Sequence, residues 1–296
     1  MRDELMQREL NGERGINTPS RPVMTYHGGK WRLAEWIISH FPEHDTYVEP
    51  FGGAASVLMR KAPSKKEFYN DLDEKIVNVM RVLRDEEKRA KLTELLTLTP
   101  YSESEFRLAS KPCNDPIECA RRTLIRAEMG FGSAGATKKH TGFYIHINKK
   151  SSVTRVWERL PEGIQAFGLR LQGVVLQSKS ALEVIRMHDM HDASSTLFYI
   201  DPPYMQDTRK MSCACYRHEM TKDDHVELLS AILKLKGMVI LSGYAHELYD
   251  SKLANWRRVT KQVQACGHRG GTKRTEVLWL SPNIPSLPNN IWPLSA

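Results

Sequence analysis

The sequence predicts an α/β fold: a mostly parallel sheet with helices between its strands, and a mainly helical segment inserted into it. Apolar, β-branched or aromatic runs end near Glu49, Asp71, Gln177, Asp201 and Ser242, and a further run spans Glu276 to Leu280. Helical stretches lie between several of these runs, the alternation that parallel strands require for their crossovers. One interval is too long to be a crossover. About a hundred residues separate Asp71 from Val174-Val175-Leu176-Gln177, where roughly fifteen to twenty-five would serve. The expected boundaries are therefore 22–84 and 171–283 for the sheet-bearing domain, 85–170 for the insertion, and 1–21 and 284–296 for loosely ordered tails.

The first element is Tyr26-His27-Gly28-Gly29-Lys30, followed by an amphipathic helix through Trp31, Leu33, Ala34, Ile37 and Ile38. Glycines beside a lysine at a helix start aim an ammonium and free N–H groups at an anion such as a carboxylate; the plainer alternative is a lysine on a surface loop. The second is Tyr47-Val48-Glu49-Pro50-Phe51-Gly52-Gly53-Ala54-Ala55-Ser56-Val57. Here a strand stops on an acid, two glycines allow a ligand to approach the backbone, and small residues open a helix through Leu58 and Met59. Taken alone, a Gly-Gly pair after a strand also reads as a turn. The third, Glu67-Phe68-Tyr69-Asn70-Asp71, places an acid at the tip of the next strand, where it can accept hydrogen bonds from ribose hydroxyls. The glycines do not form G-x-G-x-x-G, and no Lys-Ser/Thr follows them. A ligand without phosphates, an adenosine carrying a charged amino-acid tail, fits better.

Within the insertion, helices are expected at Asp85 to Leu96, Ser102 to Ser110 and Pro116 to Met129, the last opening after Asn114-Asp115 with proline in its first turn. Gly130 through Lys150 then carries Lys138, Lys139, His140, Lys149 and Lys150 around Phe143-Tyr144-Ile145-His146-Ile147. Alternating aromatic and polar residues flanked by lysines read as a β-hairpin whose tip meets DNA, against the alternative of a solvated surface hairpin.

The densest signal is Asp201-Pro202-Pro203-Tyr204, directly after Leu197-Phe198-Tyr199-Ile200. Two prolines lock φ and offer no N–H, so the Asp201 carboxylate and the Pro202 carbonyl become fixed acceptors beside an aromatic ring. Two acceptors and a ring suit the exocyclic amine of a nucleobase, which has two N–H donors and a π face. A plain strand end with a tight turn is the alternative. At average composition this tetrapeptide arises by chance in roughly one chain in a thousand of this length, which favours the functional reading.

In this order the motifs resemble the Dam-type family of DNA adenine methyltransferases, over roughly residues 22 to 283. The resemblance implies a Rossmann-like methyltransferase sheet, S-adenosylmethionine as cofactor, and an inserted target-recognition domain. It implies cofactor contacts at Tyr26, Lys30, Glu49, Phe51, Gly52, Gly53, Asp71 and Asp201, and catalysis at Asp201, Pro202, Pro203 and Tyr204. Further similarity lies in Tyr216 through His225, Val239 through Tyr244 and Thr275 through Trp279. Where Dam members commonly carry an asparagine and arginine pattern before their DNA-reading hairpin, this chain has Arg126 to Gly132, and Ser180 stands where many relatives have an acid. The implied reaction is methyl transfer to the amino group of a flipped adenine, with site-specific or relaxed specificity, with or without the nuclease of a restriction-modification pair. An amino-methyltransferase acting on RNA or on a protein amide, and an inactive DNA-binding module, are the alternatives.

A formal charge of +8 and a pI near 9.2 agree with double-stranded DNA as partner. No apolar run approaches a membrane span and the stretch from Met1 to Asn17 is charged, so a cytoplasmic protein is expected, as a monomer. Five cysteines without a secretory signal point to reduced thiols. Cys213, Cys215, His218 and His225 match no standard zinc spacing, and no metal is expected.

Overall fold

The structure is a computed structural model that describes residues 19–138, 141–145, 153–189, 193–209, 215–265 and 272–285. Its elements run α1 (Ala34–Ile38), β1 (Thr46–Glu49), α2 (Ser56–Arg60), β2 (Lys66–Asn70), α3 (Glu74–Arg84), α4 (Glu86–Leu98), α5 (Glu103–Leu108), α6 (Pro116–Met129), α7 (Val153–Glu158) and α8 (Leu160–Arg170). They continue with β3 (Val174–Gln177), α9 (Ala181–His188), β4 (Thr196–Ile200), α10 (Lys222–Ile232), β5 (Met238–Tyr244), α11 (Glu247–Lys252), β6 (Arg257–Ala265) and β7 (Thr272–Leu280). The strands form one seven-stranded sheet in the order β3-β2-β1-β4-β5-β7-β6. β1 to β5 are parallel, while β7 runs antiparallel to both β5 and β6. The mostly parallel α/β sheet is thus as expected, but β6 and the reversed direction of β7 were not foreseen. β6 carries Arg257, Arg258, Lys261 and Gln262 on an edge, so it lacks the continuous apolar run that marks a buried strand.

Side-chain alternation divides the core between the two faces of the sheet. Tyr47, Leu197, Tyr199, Met238, Ile240, Leu278 and Leu280 join one apolar cluster, whereas Val48, Phe198, Ile200, Val239, Leu241, Val277 and Trp279 join the other. The first cluster is continuous with residues of α1 through α8, among them Ile37, Leu83, Leu92, Phe106, Leu124, Trp157 and Phe167. The second is closed by α9, α10 and α11 through Val184, Leu229 and Tyr249. The long interval between β2 and β3 therefore contributes helices that share a core with the sheet.

Local chemistry sets the helix starts. Asp73, Asp85, Ser102 and Asp115 each cap the following helix with a side-chain oxygen, and Pro116 occupies the first turn of α6. Thr221 and Asp224 form a reciprocal capping box on α10. Lys61 and Arg170 converge on buried Glu67, at 2.6 and 2.5 Å, which fastens the end of α8 to β2. Cys113 and Cys119 are joined as a disulfide, where the cysteine count had pointed to reduced thiols; the turn into α6 brings their Cα atoms to 5.8 Å. Among the described residues no helix is long and apolar enough to cross a membrane.

Candidate functional site

The strand order reverses between β1 and β4, and in open α/β sheets the crevice at that point, beyond the carboxyl ends of the strands, is where ligands bind. A cavity of about 260 Å³ lies there. Its lining includes Tyr26, Lys30, Glu49, Phe51, Gly52, Gly53, Asp71, Asp201 and Pro203. Every residue expected to meet the cofactor is therefore gathered around one space, although the residues come from four separate stretches of chain.

Each part has a local reason. Tyr69 donates its hydroxyl to the Gly53 carbonyl at 2.6 Å and spreads its ring beneath the loop. A Cβ on Gly52 would stand 2.1 Å from Tyr69 Cε2, and one on Gly53, whose φ is +49°, 2.7 Å from Tyr26 Cε1. The glycines thus let two aromatic rings close on the backbone. The turn continues with Ala55 at φ 56°, a left-handed position that a residue bearing a side chain seldom adopts. Asn70 ties the same loop to the segment after β3, donating to the Pro50 and Lys179 carbonyls at 2.9 and 3.0 Å.

Asp71 accepts from the Gly53 and Asp73 N–H groups, both at 2.8 Å. A carboxylate has about four lone-pair sites, so the two used here leave room for further donors. Burial pushes its pKa up to about 6 against the opposing pull of those N–H groups. Glu49 is more secluded still. It is buried, accepts from the Tyr47 hydroxyl at 2.9 Å, and burial together with nearby Asp201 pushes its pKa up to about 8.

At the end of β4, Asp201 meets Lys30. The Lys30 ammonium lies 2.9 Å from Asp201 Oδ2, donates to the Gly28 carbonyl at 2.7 Å and stands 4.0 Å from Glu276 Oε1. Burial alone would lower the Lys30 pKa, but Asp201 and Glu276 outweigh it and hold it above its ordinary value. Burial raises the pKa of Asp201, against the pull of Lys30. Its second oxygen, Oδ1, is buried with no hydrogen-bond partner among the described residues. The hydroxyls of Tyr204 and Ser242 also face Asp201 and help to lower its pKa, while their hydrogen bonds fall on Glu276 Oε1.

Tyr204 does not line the cavity. It stands beside it, with the Lys30 ammonium 4.7 Å from its ring centroid and the Tyr244 ring edge-on at 4.7 Å. Glu276, Ser242, Tyr244 and Asn70 were not singled out as site residues in the sequence. The one available signal was an acid at the head of Val277-Leu278-Trp279-Leu280, where Glu276 is buried like its apolar neighbours. Lys139, His140, Lys149 and Lys150 lie outside the described residues. Lys138 ends a turn in which its N–H meets the Ala134 carbonyl at 2.9 Å, and Gly130 pairs antiparallel with Phe143.

The arrangement can hold a nucleoside: it has aromatic walls, the backbone of two glycines on the cavity wall, a carboxylate with spare acceptor capacity and a second carboxylate oxygen awaiting a donor. A family model described as D12 class N6 adenine-specific DNA methyltransferase matches residues 26–264. The chain is also 22% identical, over 270 residues, to proteins named DNA adenine methylase from Salmonella typhi and from Salmonella typhimurium strain LT2. These alignments cover 86% of this chain and 92% of each relative.

Proposed function

The chain belongs to the D12 class of N6 adenine-specific DNA methyltransferases, and from that premise we propose that it uses S-adenosylmethionine to methylate an adenine flipped out of double-stranded DNA. When bound, that cofactor supplies a methyl group on a positively charged sulfur. Asp71 accepts hydrogen bonds from ribose hydroxyls with its remaining lone pairs. Gly52 and Gly53 admit the nucleoside to the backbone, Tyr26 and Phe51 present ring faces to the cation, and Glu49 closes the floor.

An adenine inside a duplex hides its amino group, so extrusion costs a few kcal/mol. Asp201 Oδ1 and the Pro202 carbonyl then accept hydrogen bonds from its two amino hydrogens, which draws the nitrogen toward a tetrahedral shape and frees its lone pair for the methyl, the single proton lost from nitrogen leaving once the methyl has arrived. Pro203 stiffens the loop, and Tyr204 offers its ring to the base. The observation that carries this reading is the buried, unpartnered Asp201 Oδ1 at the cavity wall. An acceptor left without a donor in a low-dielectric site is held ready for a group that arrives with the substrate. Lys30 lines the cofactor cavity as expected of a contact residue and, with its ammonium on Asp201, also keeps that carboxylate ionised and oriented.

The DNA is proposed to follow the basic side of the helical segment, reaching the hairpin with Lys138, Lys139, His140, Lys149 and Lys150. A second hollow, which shares Arg217 with the first, is lined by Lys75, Lys111, Arg122 and Arg126 and supports such a path. Segment 85–170 is then the target-recognition part of a cytoplasmic enzyme acting as a monomer. Incubation with labelled S-adenosylmethionine and unmodified DNA, RNA or protein tests the reading: label is expected in DNA alone, as methyladenine, and label confined to RNA or protein would overturn it.

A further inference from the structure

Ser242 and Glu276 stand on β5 and β7 and Asp201 directly follows β4, the strand beside β5, and the register places all three on the same face of the sheet. Glu276 is 3% exposed, and its Oε1 gathers three groups: the Tyr204 hydroxyl, the Ser242 hydroxyl at 2.9 Å and, at 4.0 Å, the Lys30 ammonium. Lys30 is the ion-pair partner of Asp201. One carboxylate is thus tied to both ends of the Asp-Pro-Pro-Tyr loop, to Tyr204 directly and to Asp201 through Lys30.

We propose that Glu276 is a positioning residue for methyl transfer, fixing the Tyr204 ring and the Lys30 ammonium so that Asp201 keeps one oxygen free for the adenine amine. The inference rests on the reading of Asp201 as the amine acceptor given above. If Glu276 did not accept the Tyr204 and Ser242 protons, those hydroxyls would be free to donate to the vacant Asp201 oxygen and block the position the amine must take. Lys30 would also be left with a single carboxylate beside it. The remaining contacts of the Tyr204 ring, edge-on to Tyr244 and beneath Lys30, limit where it sits but do not fix its rotation. The hydroxyl contact does. A buried carboxylate is tolerated only when its oxygens are paired, and the partners of Glu276 are the groups that flank the Asp-Pro-Pro-Tyr loop.

The test is a double-mutant cycle on the full chain with Glu276→Gln and Tyr204→Phe, reading kcat, KM for each substrate, cofactor Kd and melting temperature, with Asp201→Ala as a control. Glu276→Gln keeps the shape and removes the charge. It is expected to lower kcat about tenfold or more while cofactor Kd stays within about twofold, and the double variant is expected to be no slower than the slower single one. Full kcat in folded Glu276→Gln, or effects that multiply in the double variant, would overturn the proposal. Tyr204→Phe alone is a safeguard against misfolding at position 276, because it removes the Tyr204–Glu276 hydrogen bond, which a glutamine oxygen could still accept, while leaving residue 276 untouched. An unaltered kcat there would equally count against it. If Asp201→Ala keeps full activity, the amine-acceptor reading fails and the positioning role with it. If Asp201→Ala is inactive while Glu276→Gln is normal, only the role of Glu276 fails.

Discussion

The Lys30 ammonium stands 2.9 Å from Asp201 Oδ2, which joins the first motif of the chain to the loop after β4 and leaves the other Asp201 oxygen without a partner. Lys30→Met removes the ammonium that lowers the Asp201 pKa and leaves the burial that raises it. Asp201 then holds its proton to higher pH. The acceptor form is populated only above that pKa, so the acid limb of the kcat profile is expected to move upward. An unshifted limb in a folded variant would separate Lys30 from the acceptor.

Asp71 makes a pH prediction for binding. Its pKa of about 6 is that of a buried carboxyl, and hydrogen bonds from ribose hydroxyls favour the ionised form. Calorimetry should find S-adenosylmethionine bound more weakly at pH 5 than at pH 7. Asp71→Ala should weaken affinity by about 1–3 kcal/mol at neutral pH, and abolish this pH dependence. Unchanged affinity would remove Asp71 from the cofactor site.

Glu49 makes a pH prediction for stability. Its pKa rises from 4.5 to about 8 on folding, so between those values the folded state holds a proton that the unfolded chain has released. Stability therefore falls as pH rises through this window, and the penalty is fully present above about 8. Glu49→Gln keeps an acceptor for the Tyr47 hydroxyl and cannot ionise. It should melt higher than the parent at pH 8.5 and no higher at pH 4. A lower melting temperature at pH 8.5 would show that Glu49 is held by charge.

Basic residues on the helical segment make a prediction for DNA. Removing Lys75 and Lys111 together, or two of Lys138, Lys139, Lys149 and Lys150, should weaken binding to every sequence. It should also flatten the salt dependence, by roughly one unit of slope for each phosphate no longer neutralised. Cofactor affinity should not move. A salt slope equal to the parent's would put that surface away from the DNA.

Much of the fold was legible because its signals are local. β1, β2, β3 and β4 each end within a residue of the position read from an apolar run, and α6 opens at the proline that marked it. The acids at the strand tips were legible for the same reason: Glu49, Asp71 and Asp201 each interrupt a hydrophobic stretch. What stayed hidden depends on partners distant in the chain. Nothing near Lys30 announces Asp201, which meets it only when the segment before α1 folds over the end of β4, and nothing around Tyr204 announces Glu276, which meets it only once β4, β5 and β7 lie side by side. The direction of β7 is invisible in its own residues, since antiparallel pairing is a property of the neighbour. Read alone, Tyr204 needed only its ring; with Glu276 in view its hydroxyl also matters. The disulfide at Cys113 and Cys119 was missed because cysteine count speaks to compartment and not to the geometry of one turn.

The most direct test of the account is the amount of methyladenine formed by Asp201→Ala, measured in digested DNA after reaction with labelled S-adenosylmethionine. Removing an acceptor that acts in the transition state should slow transfer by at least about a hundredfold while DNA binding survives. The parent's product should be adenine methylated on its exocyclic nitrogen. Full activity in Asp201→Ala, or methylcytosine as the parent's sole product, would contradict the account.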